Sequence, residues 1–222
     1  MNNIKGILFD MDGTVLDSEA LFDESQILLL KEYNITTSIG QLEEFKGMSY
    51  KDFYPKFINK FNVPDDIELL RLKIRTYLHK LMETNLKFIN GFEQFYKSHI
   101  KNNPFKVGLV TNTTRISYQK IQTCINIDDY FDYVQTVTES EEPKPSPIPY
   151  LQAMKSLSLN PNETIIIEDS KTGLISAVKS KAKVIGITTS LTDKQIKEIS
   201  NEIFIANSYD DIGLYFKKLL IY

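Results

Sequence analysis

Cysteine is almost absent from this chain of 222 residues, with Cys124 the only one. No disulfide can therefore close within it, and no thiolate cluster can hold a metal. Cys124 shares a helical pattern with Ile121 and Ile125, which predicts a thiol packed in the core. Histidine is scarce too, and both His79 and His99 fall in charged, helix-like stretches away from any strand end. That placement predicts surface side chains rather than catalytic ones. Positive charge is not in excess: 26 Lys and Arg stand against 29 Asp and Glu, for a net charge of −3, and the lysines are scattered. A nucleic-acid partner is not expected from that balance. Long apolar runs are missing as well. The longest purely aliphatic stretch is Ile27 to Leu30, far below the roughly 20 residues of a membrane span. Asp10, Asp12, Asp17 and Glu19 make the first twenty residues too acidic for a secretory segment. The expectation is a protein with no membrane partner in a reducing compartment, the cytoplasm.

What the chain does contain is an alternation of short apolar runs and helical patterns. Strand-like runs occur at IKGILF (4–9), KVGLVT (106–111), DYVQTV (132–137), TIIIE (164–168), KVIGIT (183–188) and EIFIA (202–206). Continuous apolar runs without period-two alternation predict strands covered on both faces, hence a parallel sheet. The segments TRISYQKIQTCI, PIPYLQAMKSLSL and KTGLISAVKS supply helices between them. The fold class predicted is α/β, a doubly wound parallel sheet. The stretch between the first two runs reads as helical instead. Tyr50, Phe53, Tyr54, Phe57, Ile58 and Phe61 form one stripe; Ile67, Leu70, Ile74, Tyr77, Leu78 and Leu81 form another; SEALFDESQILLLKEY (18–33) is a third, less regular helix. Such stripes pack against one another, so residues 17–87 are expected to form a small helical domain inserted into a core made of 1–16 and 88–222.

The unusual polar residues sit at the ends of these runs. Asp10 and Asp12 follow ILF, Thr111 and Asn112 end KVGLVTN, and Glu168 and Asp169 end TIIIED. Asp12-Gly13 alone is a hairpin signal, but TVLDSEALF does not resume a strand that could pair with ILF. In an open parallel sheet, ligands bind outside the carboxyl ends of the strands, so these groups can converge on one crevice. Gathered carboxylates need countercharge, which Lys144 in EEPKPSPIPY and a divalent cation can supply. Ligands that are all oxygen favour a hard ion, Mg²⁺ above Ca²⁺ or Zn²⁺. Beside it an aspartate can attack phosphorus, and a second acid two residues on can move the leaving-group proton. Thr111, Asn112 and the backbone N–H groups opening the next helix can hold phosphoryl oxygens.

FDMDGTVLDSE, LVTNTT, EPKPSPIPY and IIIEDSKTG, in this order and at these spacings, resemble the motifs of the haloacid dehalogenase superfamily. The resemblance is to its phosphatases with a helical cap inserted after the first motif, the group that includes beta-phosphoglucomutase and phosphoglycolate phosphatase. It implies a Rossmann-like core with a small α-helical cap and Mg²⁺-dependent hydrolysis of a small phosphorylated metabolite, a sugar, polyol or nucleoside monophosphate, through an aspartyl-phosphate. It implies that Asp10 is nucleophile and metal ligand, and that Asp12 is acid/base and lends its backbone carbonyl to the metal. Thr111 and Asn112 bind the phosphoryl group, Lys144 neutralises it and Asp10, and Asp169 ligates the metal. Glu168 is assigned to the metal site, directly or one layer out. Ser170 is read as a helix N-cap. Thr113 and Arg115 are read as cap and decoration of the following helix.

In the cap, FKGMSYKDF (45–53) resembles the specificity loop of these enzymes, which points to Lys46, Gly47 and Tyr50 as substrate-selecting residues. Mutases of this group carry an arginine where Tyr50 stands and a histidine where Phe22 stands. Both departures favour the phosphatase over the rival isomerase; a non-catalytic phosphometabolite-binding protein is the further alternative. Lys181 replaces a glycine that relatives place at a helix end. A monomer is expected, with a homodimer the alternative.

Overall fold

All six strand-like runs become strands, and they join one sheet. The computed structural model describes residues 4–45, 48 and 50–220, without the side chains of 50, 51, 219 and 220. The strands are β1 (Gly6–Phe9), β2 (Lys106–Val110), β3 (Tyr133–Gln135), β4 (Thr164–Glu168), β5 (Lys183–Ile187) and β6 (Phe204–Ala206). Their order is β3-β2-β1-β4-β5-β6, with every neighbouring pair parallel. β1 and β4 are buried along their whole length, as unbroken apolar runs in a parallel sheet require. β4 keeps the whole TIIIE run, with Glu168 paired to Gly186, while β1 and β2 end at Phe9 and Val110, so that Asp10 and Thr111 follow their strands at the carboxyl edge. Among the described residues β1 pairs only with β2 and β4, both parallel, so Asp12-Gly13 is not a hairpin turn.

The described residues divide into two compact units. One comprises Met1–Leu16 and Phe88–Tyr222, the other Asp17–Lys87. In the first, α5 (Phe92–Phe95), α6 (Arg115–Cys124), α7 (Ile148–Ser156), α8 (Lys171–Lys179), α9 (Asp193–Ile199) and α10 (Tyr209–Leu220) accompany the strands. Leu8, Val110 and Ile166 share a core cluster with Tyr150, Ala153 and Met154 of α7 and Leu174 and Ala177 of α8. Phe9 packs edge-on against Phe92 and Phe131, and Phe92 and Phe95 contact Tyr209 of α10. The second unit holds α1 (Glu19–Glu32), α2 (Ile39–Leu42), α3 (Tyr50–Phe61) and α4 (Ile67–Asn85). Its core joins Leu29, Leu30, Phe45, Phe53, Phe57, Phe61, Leu70 and Ile74. The aromatic stripe of α3 thus packs as a stripe should, while Met82 rather than Leu81 is buried near the end of α4.

Three expectations are modified. Cys124 is only half-buried, its Sγ donating to Lys120 O at 3.3 Å, because it lies off the stripe that Tyr118 and Ile121 bury. His99 is half-buried against Phe95, with ring centroids 5.4 Å apart; burial, then the charge of Lys217, holds its pKa down. His79 is half-buried as well.

Lys181 follows α8 with φ at 67°, the left-handed conformation that suits glycine. A left-handed non-glycine residue costs roughly 1–2 kcal/mol, and the added freedom of an unfolded glycine returns about 0.4–1 kcal/mol. Lys181→Gly is therefore expected to stabilise the protein by about 0.5–1 kcal/mol, or ~2–3 °C in a thermal melt. An unchanged or lower melting temperature contradicts this account.

Candidate active site

Strand order in the sheet reverses between β1 and β4, where an open α/β sheet leaves its crevice. Phe9 pairs with Ile167 in register and Asp10 N donates to Ile167 O at 2.9 Å, so Asp10 and Glu168 emerge side by side. Lys144 reaches the same point from the loop before α7. Its Nζ lies 2.6 Å from Asp10 Oδ1, 2.9 Å from Glu168 Oε1 and 2.7 Å from Val110 O, and 4.7 Å from the Tyr150 ring centre. Water is nearly excluded: Asp10 is 7% exposed, Lys144 5%, and Glu168 and Asp169 0%.

Burial and then the Glu168 charge push the Asp10 carboxyl well above the usual carboxylate range, with Lys144 pulling the other way. For Lys144, burial opposes the ammonium, but Asp10 and Glu168 outweigh it and hold the lysine charged. The lysine is a tethered cation; stranding it in the crevice without an anionic partner costs about 3–5 kcal/mol.

Glu168 is an anchor with every lone pair engaged. Oε1 accepts from Lys144 and, at 3.3 Å, from Tyr150 OH; Oε2 accepts from Asp169 N, Ser170 N and Ser170 Oγ at 2.8–3.0 Å. Ser170 Oγ also accepts from Gly173 N at 3.1 Å and caps α8. A Cβ on Gly173 would lie 1.5 Å from Glu168 Oε1, which is why that turn takes no side chain. Gly13, at φ 78°, plays the matching part under Asp169, where a Cβ would come within 2.1 Å of Oδ2.

The remaining expected residues also gather here. Asn112 uses both arms of its amide on the Lys144 backbone, Oδ1 from N at 3.0 Å and Nδ2 to O at 3.2 Å. Thr111 is buried, and its Oγ1 accepts from Thr113 N at 2.9 Å. Thr113 is not the cap of α6, which is Thr114, bonded from Ser117 N. Instead Thr113 Oγ1 donates to Asp12 Oδ2 at 2.9 Å. Arg115 is spent on Glu139, through Nε to Oε1 at 2.8 Å. Lys46 and Gly47 lie outside the described residues, as does the side chain of Tyr50.

Asp10, Glu168 and Asp169 bring one carboxylate oxygen each within 4.8 Å of one another. Three carboxylates against one ammonium leave two uncompensated negative charges where little water reaches. That deficit and an all-oxygen donor set suit a hard divalent cation.

The haloacid dehalogenase-like hydrolase family model matches residues 7–187. The chain belongs to this family. Within it, the chain is 24% identical over 212 residues to pyrophosphatase PpaX of Oceanobacillus iheyensis, a match covering 95% of each chain. It is 23% identical over 192 residues to the phosphorylated carbohydrates phosphatase of Thermotoga maritima, covering 86% of this chain and 88% of that one. Among solved structures, a HAD hydrolase of family IA, variant 3, from Entamoeba histolytica superposes with a TM-score of 0.81 at 20% identity, over 97% of this chain and 100% of the other. The expected α/β Rossmann-like fold and the haloacid dehalogenase resemblance both hold, and the chain is an enzyme of the hydrolase class.

Haloacid dehalogenase motifs name Asp10, Lys144 and Asp169, and the first of them contains Thr14, but they leave Ser190 and Tyr209 unmarked. Thr14 Oγ1 donates to Asp169 Oδ1 at 3.1 Å, Ser190 Oγ donates to Asp169 Oδ2, and Tyr209 OH donates to Thr14 O at 2.7 Å. Serine and threonine are common in turns for local reasons, so nothing in their spacing announces a partner far along the chain. Among the described residues no helix is long and apolar enough to cross a membrane.

Proposed function

We propose that this haloacid dehalogenase-family enzyme is a Mg²⁺-dependent phosphatase that hydrolyses a small phosphorylated metabolite through an aspartyl-phosphate on Asp10. The observation that carries the reading is the clamp at the β1/β4 crevice, a buried aspartate held 2.6 Å from a buried ammonium beside Glu168 and Asp169. Bound Mg²⁺, held by the Asp10 and Asp169 carboxylates and, as the family resemblance implies, by the Asp12 carbonyl, supplies charge neutralisation at the phosphoryl oxygens. Glu168, with five hydrogen bonds already on it, serves better as the anchor of Lys144 than as a direct ligand.

In the first half-reaction an Asp10 oxygen attacks phosphorus, the bond from phosphorus to the leaving oxygen breaks, and Asp12 delivers a proton to that oxygen. In the second, Asp12 takes a proton from water as the water oxygen attacks the phosphorus, freeing Asp10 and inorganic phosphate. The Thr113 hydroxyl steadies the ionised Asp12, and Lys144 offsets charge on Asp10 and on the transferring group. Thr111 retains an O–H proton and Asn112 a second amide proton for the phosphoryl oxygens. The core reads only the phosphoryl group, so choice of leaving group is assigned to the segment of Lys46, Gly47 and Tyr50.

Phosphate release from a panel of phosphorylated metabolites with and without Mg²⁺ tests the reading. Inorganic pyrophosphate and phosphorylated carbohydrates belong in the panel, since the names of the relatives carry them. No release from any member defeats the proposal; conversion of a hexose phosphate only with a bisphosphate activator transfers it to the isomerase. Asp12→Ala is expected to slow hydrolysis of the phosphoenzyme by about 10²–10⁴-fold. Phosphate label should then be trapped on protein after acid quenching, and its absence in both the variant and the parent counts against the covalent route.

A further inference from the structure

The loop that follows β5, Thr188 to Ser190, carries none of the motifs, yet it grips the site at two points. Thr189 Oγ1 donates to Gly13 O at 2.6 Å, fixing the turn that follows Asp12. Ser190 Oγ donates to Asp169 Oδ2. Asp169 is fully buried, and its carboxylate is met from elsewhere in the chain by Thr14 Oγ1 on Oδ1 at 3.1 Å. Its backbone N–H is fixed by Glu168 Oε2 at 2.9 Å. An ionised carboxylate only accepts, so both hydroxyls must act as donors. Each carboxylate oxygen has two lone pairs. A hydroxyl on one sets the torsion of the group and aims the other, and residues that orient a metal ligand in this way are worth about 10–100-fold in metal affinity. Space for this approach exists only because residue 13 is glycine: a Cβ there would stand 2.1 Å from Asp169 Oδ2 and 3.2 Å from Ser190 Oγ.

We infer that Ser190 is a positioning residue for the divalent-cation site, holding the Asp169 carboxylate in the orientation that binds the ion while Thr189 locks the same loop to the motif-one turn. The inference rests on the Mg²⁺ reading given above. It extends the site to a fifth segment of chain, at the carboxyl end of β5. Ser190 is only half-buried, so removing its hydroxyl leaves the core intact, while water is poorly placed to replace it on a carboxylate with no exposed surface.

The test is a calorimetric titration of Mg²⁺ into the full chain without substrate, with Mn²⁺ followed by electron paramagnetic resonance as a second probe. Ser190→Ala is expected to weaken binding about tenfold, with its metal-free melting temperature within about 2 °C of the parent. Ser190→Thr restores the hydroxyl and is expected to bind within threefold of the parent. Equal affinity of the alanine variant and the parent overturns the positioning role, as does a threonine variant as weak as the alanine one. A parent chain that binds neither ion defeats the Mg²⁺ reading and this inference together, so the two failures are told apart by the parent alone.

Discussion

Asp10→Asn is expected to remove phosphate release by about 10⁴-fold or more while leaving the fold in place. The amide keeps the volume of the carboxylate but has no nucleophilic oxygen anion, and it withdraws one charge from the cation site. The structural cost is small for a reason specific to this pocket. Burial and the neighbouring Glu168 already push the Asp10 carboxyl up, so its ionised form is the strained one. Lys144 keeps two of its partners, Glu168 at 2.9 Å and Val110 O at 2.7 Å, and the amide oxygen can still accept from it. The metal-free variant should therefore melt no more than about 3 °C below the parent. Paired melts and Mg²⁺-dependent phosphate assays check both halves. Substantial turnover by Asp10→Asn defeats the nucleophile assignment, and a collapse in melting temperature defeats the electrostatic account of the pocket.

Gly173→Ala is expected to have the largest effect on stability of any single methyl added in the core unit. Its Cβ would sit 1.5 Å from Oε1 and 1.9 Å from Cδ of Glu168. A flexible surface glutamate would swing aside, but this one is fully buried and ties together Lys144, Tyr150, Ser170 and the Asp169 backbone. Displacing it leaves Lys144 short of a partner and a carboxylate stranded, a loss of about 3–5 kcal/mol. For a chain of this size that corresponds to a fall on the order of 10 °C in melting temperature. Thermal and urea unfolding measure it; a melt within ~2 °C of the parent shows that Glu168 is not fixed as described. Activity should fall with stability, because the displaced anchor is the one that holds Lys144 on Asp10.

The α/β class, the six strand positions and the family were legible in the chain itself. Unbroken apolar runs such as TIIIE state that both faces of a strand are covered, and stripes such as Phe53, Phe57 and Phe61 state a packed helical face. These are local patterns, written within a few turns of chain. The strand-end placement of Asp10, Thr111, Glu168 and Asp169 followed from the same patterns, since a polar residue after such a run must leave the sheet at its carboxyl edge.

What the sequence could not determine is which small hydroxyls meet which carboxylates. Thr113 reads locally as a helix cap, and it is bonded to Asp12, 101 positions away. Thr14 and Ser190 meet on Asp169 across 155 and 21 positions, and Thr189 reaches Gly13 across 176. A hydroxyl in a turn has a local use wherever it stands, so its distant partner is fixed only when sheet order brings β1, β4 and β5 side by side. Tertiary structure also decided the orientation of Glu168, whose five donors come from the lysine loop, α7 and the start of α8. The sequence determined which groups reach the crevice; the packing of the strands determined how each is held there, because direction at a carboxylate is set by its nearest donors and not by its neighbours in the chain.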